Sequence, residues 1–192
     1  MGQAKTLTDT DVRKVLRHIS TKKYAIRNRC IFLMGLWSGM RVGEIANLTI
    51  GDVLNTDGTI KHEVRLKATQ TKGKRPRTVF LSSKLRDEIA YYLRYKCTDF
   101  SDRPLFSTRM RSGFTPNTLA QTLFWIFRNS GVDASSHSLR RSFATAMGAA
   151  GISVRVIQKA LGHANLATTA VYVEASDDML RKAVEIARME VA

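Results

Sequence analysis

A chain of 192 residues is long enough for one globular domain, or at most two very small ones. Hydrophobic residues make up 44% of it and charged residues 24%, an ordinary folded composition that excludes wholesale disorder. Lysine and arginine total 31 against 16 aspartates and glutamates, so the formal net charge is +15. So large an excess on so small a chain predicts a polyanionic partner, most often nucleic acid.

The sequence carries no signal for a membrane or secretory destination. Its longest uninterrupted apolar run, residues 31–37, is far short of a transmembrane span, and no apolar stretch follows the N-terminus. The two cysteines, Cys30 and Cys97, have neither metal-ligand spacing nor a disulfide pattern. A cytoplasmic protein that does not bind membranes is therefore expected.

Helical signals dominate the first 50 residues. Thr8 and Asp11 form a capping box before apolar residues at helical spacing. Residues 24–37 predict a mostly buried helix that ends near Gly39. A short helix over residues 41–48 is predicted to be closed by Gly51.

The pattern then changes to that of β-strands. Residues 59–66 and 77–81 are rich in β-branched and aromatic side chains, and a basic turn over residues 71–76 separates them. We expect these two segments to form an antiparallel hairpin.

Helices are predicted again in the second half of the chain. Ser82 or Ser83 begins one that reaches about residue 96. Thr115 caps another, which has Pro116 at its first position and ends at Gly131. Further helices are expected over residues 138–150, 153–161 and 177–189, with a short helical turn near 167–173. The predicted class is α+β, mainly α-helical, with one small antiparallel β-sheet.

Basic side chains are concentrated on the predicted hairpin. Seven lysines and arginines lie between residues 61 and 77: Lys61, Arg65, Lys67, Lys72, Lys74, Arg75 and Arg77. Such a run is often only a solvated surface, but on a turn it can also follow a nucleic-acid backbone. With the net charge of +15, contact with DNA or RNA is the favoured interpretation.

Five other positions are candidates for chemistry: Arg41, His137, Arg140, Tyr172 and His163, which follows a helix that ends at Gly162. His137 and Arg140 lie three residues apart at the start of a helix, where an arginine can grip a phosphate. Arg41 lies in an apolar stretch and needs a partner such as Glu44. Taken singly, each of these residues also fits a structural role. Tyr172, for example, lies at helical spacing from apolar neighbours, as a core residue would.

In chain order these positions resemble the catalytic domain of the tyrosine recombinases, the phage integrase family. The matching stretches are SGMRVGEI over 38–45, HSLRRSFAT over 137–145 and LGHANLATTAVY over 161–172. A lysine on the hairpin completes the set, and the resemblance extends over about residues 7–190. The five motifs, in chain order, are centred on Arg41, the hairpin lysine, His137 with Arg140, His163, and Tyr172. Together they are a strong signal, although each alone is weak.

The resemblance implies a metal-free DNA strand transfer in which Tyr172 becomes bonded to a 3′-phosphate. Arg41 and Arg140 would neutralise the charge that grows on the phosphate oxygens. His137 would accept the tyrosine proton, and His163 would donate a hydrogen bond to the phosphate. Glu44 is expected to orient Arg41.

The resemblance also implies a hairpin lysine that protonates the leaving 5′-oxygen. Lys72 aligns best, and Lys67 and Lys74 remain alternatives. No cofactor is expected, because the phosphotyrosyl bond conserves the energy of the broken linkage. No metal is expected either, since the sequence shows no acidic cluster for two ions. Residues expected to contact DNA directly are Lys67, Lys74, Arg75, Arg77 and Arg141.

The expected partner is double-stranded DNA, with an accessory DNA-bending protein left open. We predict a monomer in solution and a homotetramer on synapsed DNA sites, held through the apolar face of the last helix; packing of that face within the chain is the alternative. The chain is predicted to be one catalytic domain without the N-terminal domain with which typical integrases clamp DNA. A naturally short recombinase and an excised fragment both fit, and a bacterial or phage origin with location at the nucleoid is expected.

Three other functions remain to be distinguished. A topoisomerase that nicks one strand shares the same chemistry on a similar fold. A non-catalytic DNA-binding regulator descended from a recombinase would be expected to have lost part of the residue set. A basic domain for RNA or membrane surfaces explains the charge but none of the motifs. Integration, excision, inversion and dimer resolution share this protein chemistry and differ in where the two DNA sites lie.

Overall fold

The computed structural model describes residues 4–71, 73, 75–96, 102–110, 112–172, 180–181 and 184–185. It divides into two compact units, Met1–Phe143 and Ala144–Ala192, with the division inside helix α7. In chain order the elements are α1 Asp9–Ser20, α2 Ala25–Ser38, α3 Val42–Ala46, α4 Ile50–Val53, β1 Glu63–Leu66, a 3₁₀ turn Ala68–Gln70, β2 Arg77–Phe80, α5 Ser83–Arg94, α6 Pro116–Asn129, α7 Ser136–Ala149, α8 Val154–Leu161 and α9 Ala167–Ala170.

The first two helices form as predicted. The Thr8 hydroxyl accepts from the Asp11 N–H at 3.2 Å, and the Asp11 carboxylate accepts from the Thr8 N–H at 3.0 Å. This reciprocal capping satisfies two backbone donors at the start of α1. Helix α2 is mostly buried and ends at Gly39, whose φ of 63° is a left-handed conformation that glycine adopts without steric cost.

The predicted helix over 41–48 forms, but it ends earlier than expected and Gly51 does not close it. Helix α3 ends at Ala46, and Gly51 lies inside a separate helix, α4. The reason is a second capping box: the Thr49 N–H donates to Asp52 Oδ2 at 2.9 Å. A cap at Thr49 starts a new helix before Gly51 can end the previous one.

Strands β1 and β2 form the predicted antiparallel pair, with Val64 opposite Val79 and Leu66 opposite Arg77. The first strand begins at Glu63 rather than at residue 59. The residues before it are held in a turn instead, because the Asn55 N–H donates to the Thr59 carbonyl at 2.9 Å. One face of the pair, including Val64, Leu66 and Val79, is buried against the helices.

Helices α5 and α6 also follow their predicted caps. The Ser82 hydroxyl caps α5, the Thr115 hydroxyl caps α6, and Pro116 occupies the first turn of α6. Helix α7 begins at Ser136, two residues earlier than predicted. The largest fully buried side chains of this first unit are three phenylalanines, Phe32, Phe106 and Phe127.

The second unit contains α8, which is capped by Ser153, and α9. Helix α8 buries Ile157 and Leu161 and ends at Gly162, which has a φ of 64°. Most of the predicted helix over 177–189 lies outside the described residues; of that helix, 180–181 and 184–185 are described and are helical. No helix in the described ranges is long and apolar enough to cross a bilayer.

Candidate functional site

The centre of the site in the first unit is a carboxylate shared by two arginines. Arg41 is the N-cap of α3, and its backbone N–H donates to Glu44 Oε2 at 2.7 Å. Arg41 Nη1 donates to Glu44 Oε1 at 3.1 Å. From β2, Arg77 donates to both carboxylate oxygens, Nε to Oε1 at 3.2 Å and Nη2 to Oε2 at 2.6 Å.

The side chains of Glu44 and Arg77 are buried, whereas that of Arg41 is accessible from solvent. Glu44 is 1% exposed and Arg77 9%, whereas Arg41 is 32% exposed. Burial raises the pKa of Glu44, but the hydrogen bonds and charges of Arg77 and Arg41 outweigh it and hold the pKa below its usual range. Two cations on one carboxylate leave the cluster with a net positive charge, and Arg41 is its accessible end.

Arg77 differs from its predicted role in DNA contact. Its guanidinium is engaged by Glu44 and its side chain is almost wholly buried. This geometry makes it a partner of the Arg41–Glu44 pair rather than a surface cation. No local pattern indicates this pairing, because residues 44 and 77 are 33 positions apart in the chain.

A second arginine reaches the chain segment that leads into Arg41. Arg140, on the first turns of α7, is 7% exposed and its Nη1 donates to the Gly39 carbonyl at 2.6 Å. Gly39 precedes Arg41 by two residues. The neighbouring His137 is exposed at the start of the same helix. The first unit thus brings together the segment of Arg41 and the buried Arg140.

The second unit holds the other two predicted residues close together. His163 follows the C-cap of α8, and its Nδ1 lies 2.8 Å from the hydroxyl of Thr169, a fully buried residue. The rings of His163 and Tyr172 are 6.1 Å apart between centroids and inclined at 37°. The Tyr172 N–H donates to the Thr169 carbonyl at 2.9 Å. Thr169, which sequence reasoning missed, therefore contacts both residues.

The hairpin cations are only partly described. Lys67 and Arg75 are exposed, while Lys72 and Lys74 lie outside the described residues. Arg141 is half-buried, and its Nε donates to the Thr6 hydroxyl at 3.1 Å. In the part of the chain that the structure covers, no group of three or more His, Cys, Asp or Glu residues could hold a metal ion.

Comparison with known proteins decides the family. Residues 5–179 match the sequence model of the phage integrase family. The chain belongs to that family. This confirms the predicted membership among tyrosine recombinases.

Two relatives and three solved structures illustrate the similarity. The tyrosine recombinases XerA of Pyrococcus furiosus and of Thermococcus onnurineus are both 36% identical to this chain, over 187 and 188 residues. The alignments cover 96% of this chain and 62% and 63% of the relatives, so the chain spans less than two thirds of their length.

The solved structures confirm the predicted fold class. The crystal structure of XerA recombinase superposes with a TM-score of 0.75 and 25% identity, over all of this chain and 68% of that one. A XerH recombinase bound to its difH substrate gives a TM-score of 0.71, also at 25% identity, over 97% of this chain and 54% of that one. The integrase of transposon Tn1549, at 17% identity and a TM-score of 0.77, shows the same fold over 97% of this chain and 67% of that one.

Proposed function

We propose that this chain is the catalytic domain of a site-specific DNA recombinase that cuts and rejoins DNA through a covalent bond to Tyr172. The observation that carries the proposal is the arrangement of His163 beside Tyr172, with its imidazole fixed by Thr169, in a chain of the phage integrase family. An imidazole fixed beside a phenol suits a site in which both act on one phosphate.

Cleavage exchanges one phosphate ester for another. The Tyr172 oxygen attacks phosphorus, the bond to the 5′-oxygen breaks, and the product is a 3′-phosphotyrosine with a free 5′-hydroxyl. His137 takes the phenol proton, and Lys72 gives a proton to the leaving oxygen. Rejoining reverses both proton transfers and the ester exchange, so the proposed reaction requires no nucleotide or metal.

The positive groups stabilise the charge that concentrates on the non-bridging oxygens. Arg41 provides a planar, partly exposed guanidinium, and Arg140 a second one that is held by the Gly39 carbonyl. When the Thr169 hydroxyl donates to His163 Nδ1, a neutral imidazole carries its proton on Nε2. That N–H is the donor that we assign to a phosphate oxygen.

The proposed substrate is double-stranded DNA. The net charge of +15 supports it, and the related XerH and Tn1549 proteins have been solved with DNA. Lys67, Lys74, Arg75 and Arg141 are assigned to the DNA backbone, so replacing any of them should weaken binding and lower its salt dependence. We predict that the protein is a monomer in solution and a tetramer on paired DNA sites. Its location at the nucleoid and the help of a DNA-bending protein are further predictions.

Covalent trapping on DNA tests the proposal. The protein and a Tyr172→Phe variant are incubated in EDTA with DNA fragments that flank the gene, and detergent-resistant protein–DNA adducts are sought. We expect adducts with the unmodified protein alone, carried on 3′-phosphate ends. Tight DNA binding without any adduct would contradict the proposal and favour a regulatory DNA-binding protein. Relaxation of supercoils without exchange between two DNA partners would favour a topoisomerase.

A further inference from the structure

The backbone of His163 is held on both sides by one residue, Gln158, in the last turn of α8. The His163 N–H donates to the Gln158 carbonyl at 3.1 Å, and the Gln158 Nε2 donates back to the His163 carbonyl, also at 3.1 Å. The first of these bonds belongs to the end of the helix, where the Gly162 N–H donates to the Lys159 carbonyl at 3.1 Å in a Schellman motif. The second bond is added by the glutamine side chain.

These two bonds fix the peptide units that precede and follow His163, and therefore the direction in which its side chain leaves the backbone. The far end of that side chain is held by the Thr169 hydroxyl, 2.8 Å from Nδ1. The half-buried Gln158 is itself carried by a helix that is anchored through the fully buried Ile157 and Leu161. The imidazole is thus fixed both at its backbone and at one ring nitrogen.

We propose that Gln158 is a positioning residue for DNA cleavage: by holding the His163 carbonyl, its amide sets where the imidazole stands relative to Tyr172. The inference rests on the proposed function. Gln158 is assigned no contact with DNA; it acts through His163, whose ring centroid lies 6.1 Å from that of Tyr172. The three residues and Thr169 all belong to the second unit.

The size of the effect follows from what the imidazole is proposed to do. Removing one donor to the charge that develops in a transition state costs about 100- to 1000-fold in rate. Without the Gln158 amide, the His163 carbonyl can turn and the ring can move, but Thr169 still holds Nδ1. Part of the rate is therefore kept, and we expect a loss of about 10-fold. The bonds of the Schellman motif remain, so α8 should stay folded.

The first test is a Gln158→Met variant, which removes the amide and keeps an unbranched side chain of similar length. At saturating DNA, it should form the covalent adduct about 10-fold more slowly than the unmodified protein in a single turnover. Its affinity for DNA should stay within about twofold. The matched control is Val156→Met, which puts the same side chain at a position of α8 that is 52% exposed and should change neither quantity.

A Gln158→Glu variant tests whether the hydrogen bond to the carbonyl is what matters. A carboxylate has no proton to donate and repels the His163 carbonyl, whereas a protonated carboxyl can donate its O–H. The adduct rate of this variant, divided by that of the unmodified protein at the same pH, should rise as the pH falls from about 8 to about 5. The same ratio for Gln158→Met should stay flat. A flat ratio for Gln158→Glu would overturn the inference.

A double-mutant cycle separates positioning from support of the fold. In a His163→Ala background, adding Gln158→Met should slow adduct formation by less than about twofold, because the ring through which Gln158 acts is absent. A full loss of about 10-fold in that background would mean that Gln158 supports the fold of the unit instead.

NMR of the imidazole nitrogens tests the contact without catalysis. Gln158→Met should shift the ring signals of His163 and leave those of His18, on α1 in the first unit, in place. Unshifted His163 signals would overturn the inference even if the variant were slow. If the unmodified protein forms no adduct on any DNA fragment, the proposed function fails and this inference with it, whereas an adduct that forms equally fast with Gln158→Met refutes the inference alone.

Discussion

The Glu44 carboxylate, which Arg41 and Arg77 share, allows a quantitative prediction about the free energy of unfolding. In an Arg77→Met variant, Glu44 stays buried at 1% exposure but loses two hydrogen bonds, at 3.2 and 2.6 Å. Removing one member of a buried ion pair usually costs about 3–5 kcal/mol, because the remaining charge is left without compensation. Arg41 still contacts Glu44 through its backbone and Nη1, so we expect the lower end, about 3 kcal/mol.

The pH dependence of this loss has a definite sign. The pKa of Glu44 is held low in the folded protein, so its contribution to stability is present above the unfolded value of about 4.3 and lost as pH falls through the folded value. Without Arg77, burial of Glu44 raises its folded pKa, and the variant takes up a proton at higher pH. The difference in stability between the two proteins should therefore shrink as pH falls from neutral towards 4.

Urea unfolding followed by circular dichroism measures both effects, at neutral pH and near pH 4.5. The matched control is the double variant Glu44→Gln with Arg77→Met, in which no buried charge is left alone. It should lose less stability than Arg77→Met by itself. A loss below about 1 kcal/mol for Arg77→Met, or a loss independent of pH, would refute the reasoning.

Three further predictions concern helix packing, the imidazole and assembly. A Cβ on Gly35 would lie 2.7 Å from Leu139 Cδ1 and 3.3 Å from its Cβ, so Gly35→Ala should cost about 1–2 kcal/mol in urea unfolding; equal stability would contradict this close approach. Thr169→Val removes the partner of His163 Nδ1 and should slow adduct formation roughly 10-fold, whereas the exposed Thr168→Val should have no effect. Leu180 and Val184 are apolar and exposed, at 55% and 71%. Replacing both with glutamate should abolish strand exchange before it abolishes DNA binding. Unfolding of this variant in circular dichroism would instead indicate that the two side chains pack within the chain.

Features set by neighbouring residues could be predicted from the sequence. The Thr8–Asp11 capping box and Pro116 after Thr115 each specify a helix start within four residues, and the structure has both. The sequence does not predict the short helix α4, although its capping box, Thr49 and Asp52, is present, because Gly51 is typical of a helix end. Local signals compete, and here the cap outweighed the glycine.

Features that join distant residues could not be predicted in this way. Sequence spacing put Glu44 within reach of Arg41, but nothing local connects either of them with Arg77. Nor does any local pattern connect α3 with Gln70, whose side chain donates to the Asn47 carbonyl at 3.1 Å. Both contacts depend on how the hairpin packs against the helices, which a single sequence does not specify. The same limit explains why the sequence predicts a surface position for Arg77: its charge is visible in the sequence, and its burial is not.

The short helix α3 explains why these distant contacts matter for the proposed chemistry. Five residues are too few for a helix to be stable by its own hydrogen bonds, so α3 depends on what holds its ends. At its N-terminal end, the Glu44 carboxylate accepts hydrogen bonds from the Arg41 N–H and from Arg77. At its C-terminal end, the Asn47 carbonyl accepts one from Gln70. Since the N-cap residue is Arg41, we expect a movement of the hairpin to shift the guanidinium proposed to bind phosphate. The proposed phosphate-binding group and the basic hairpin are therefore joined through α3, although Gln70 and Arg77 lie 29 and 36 positions after Arg41 in the chain.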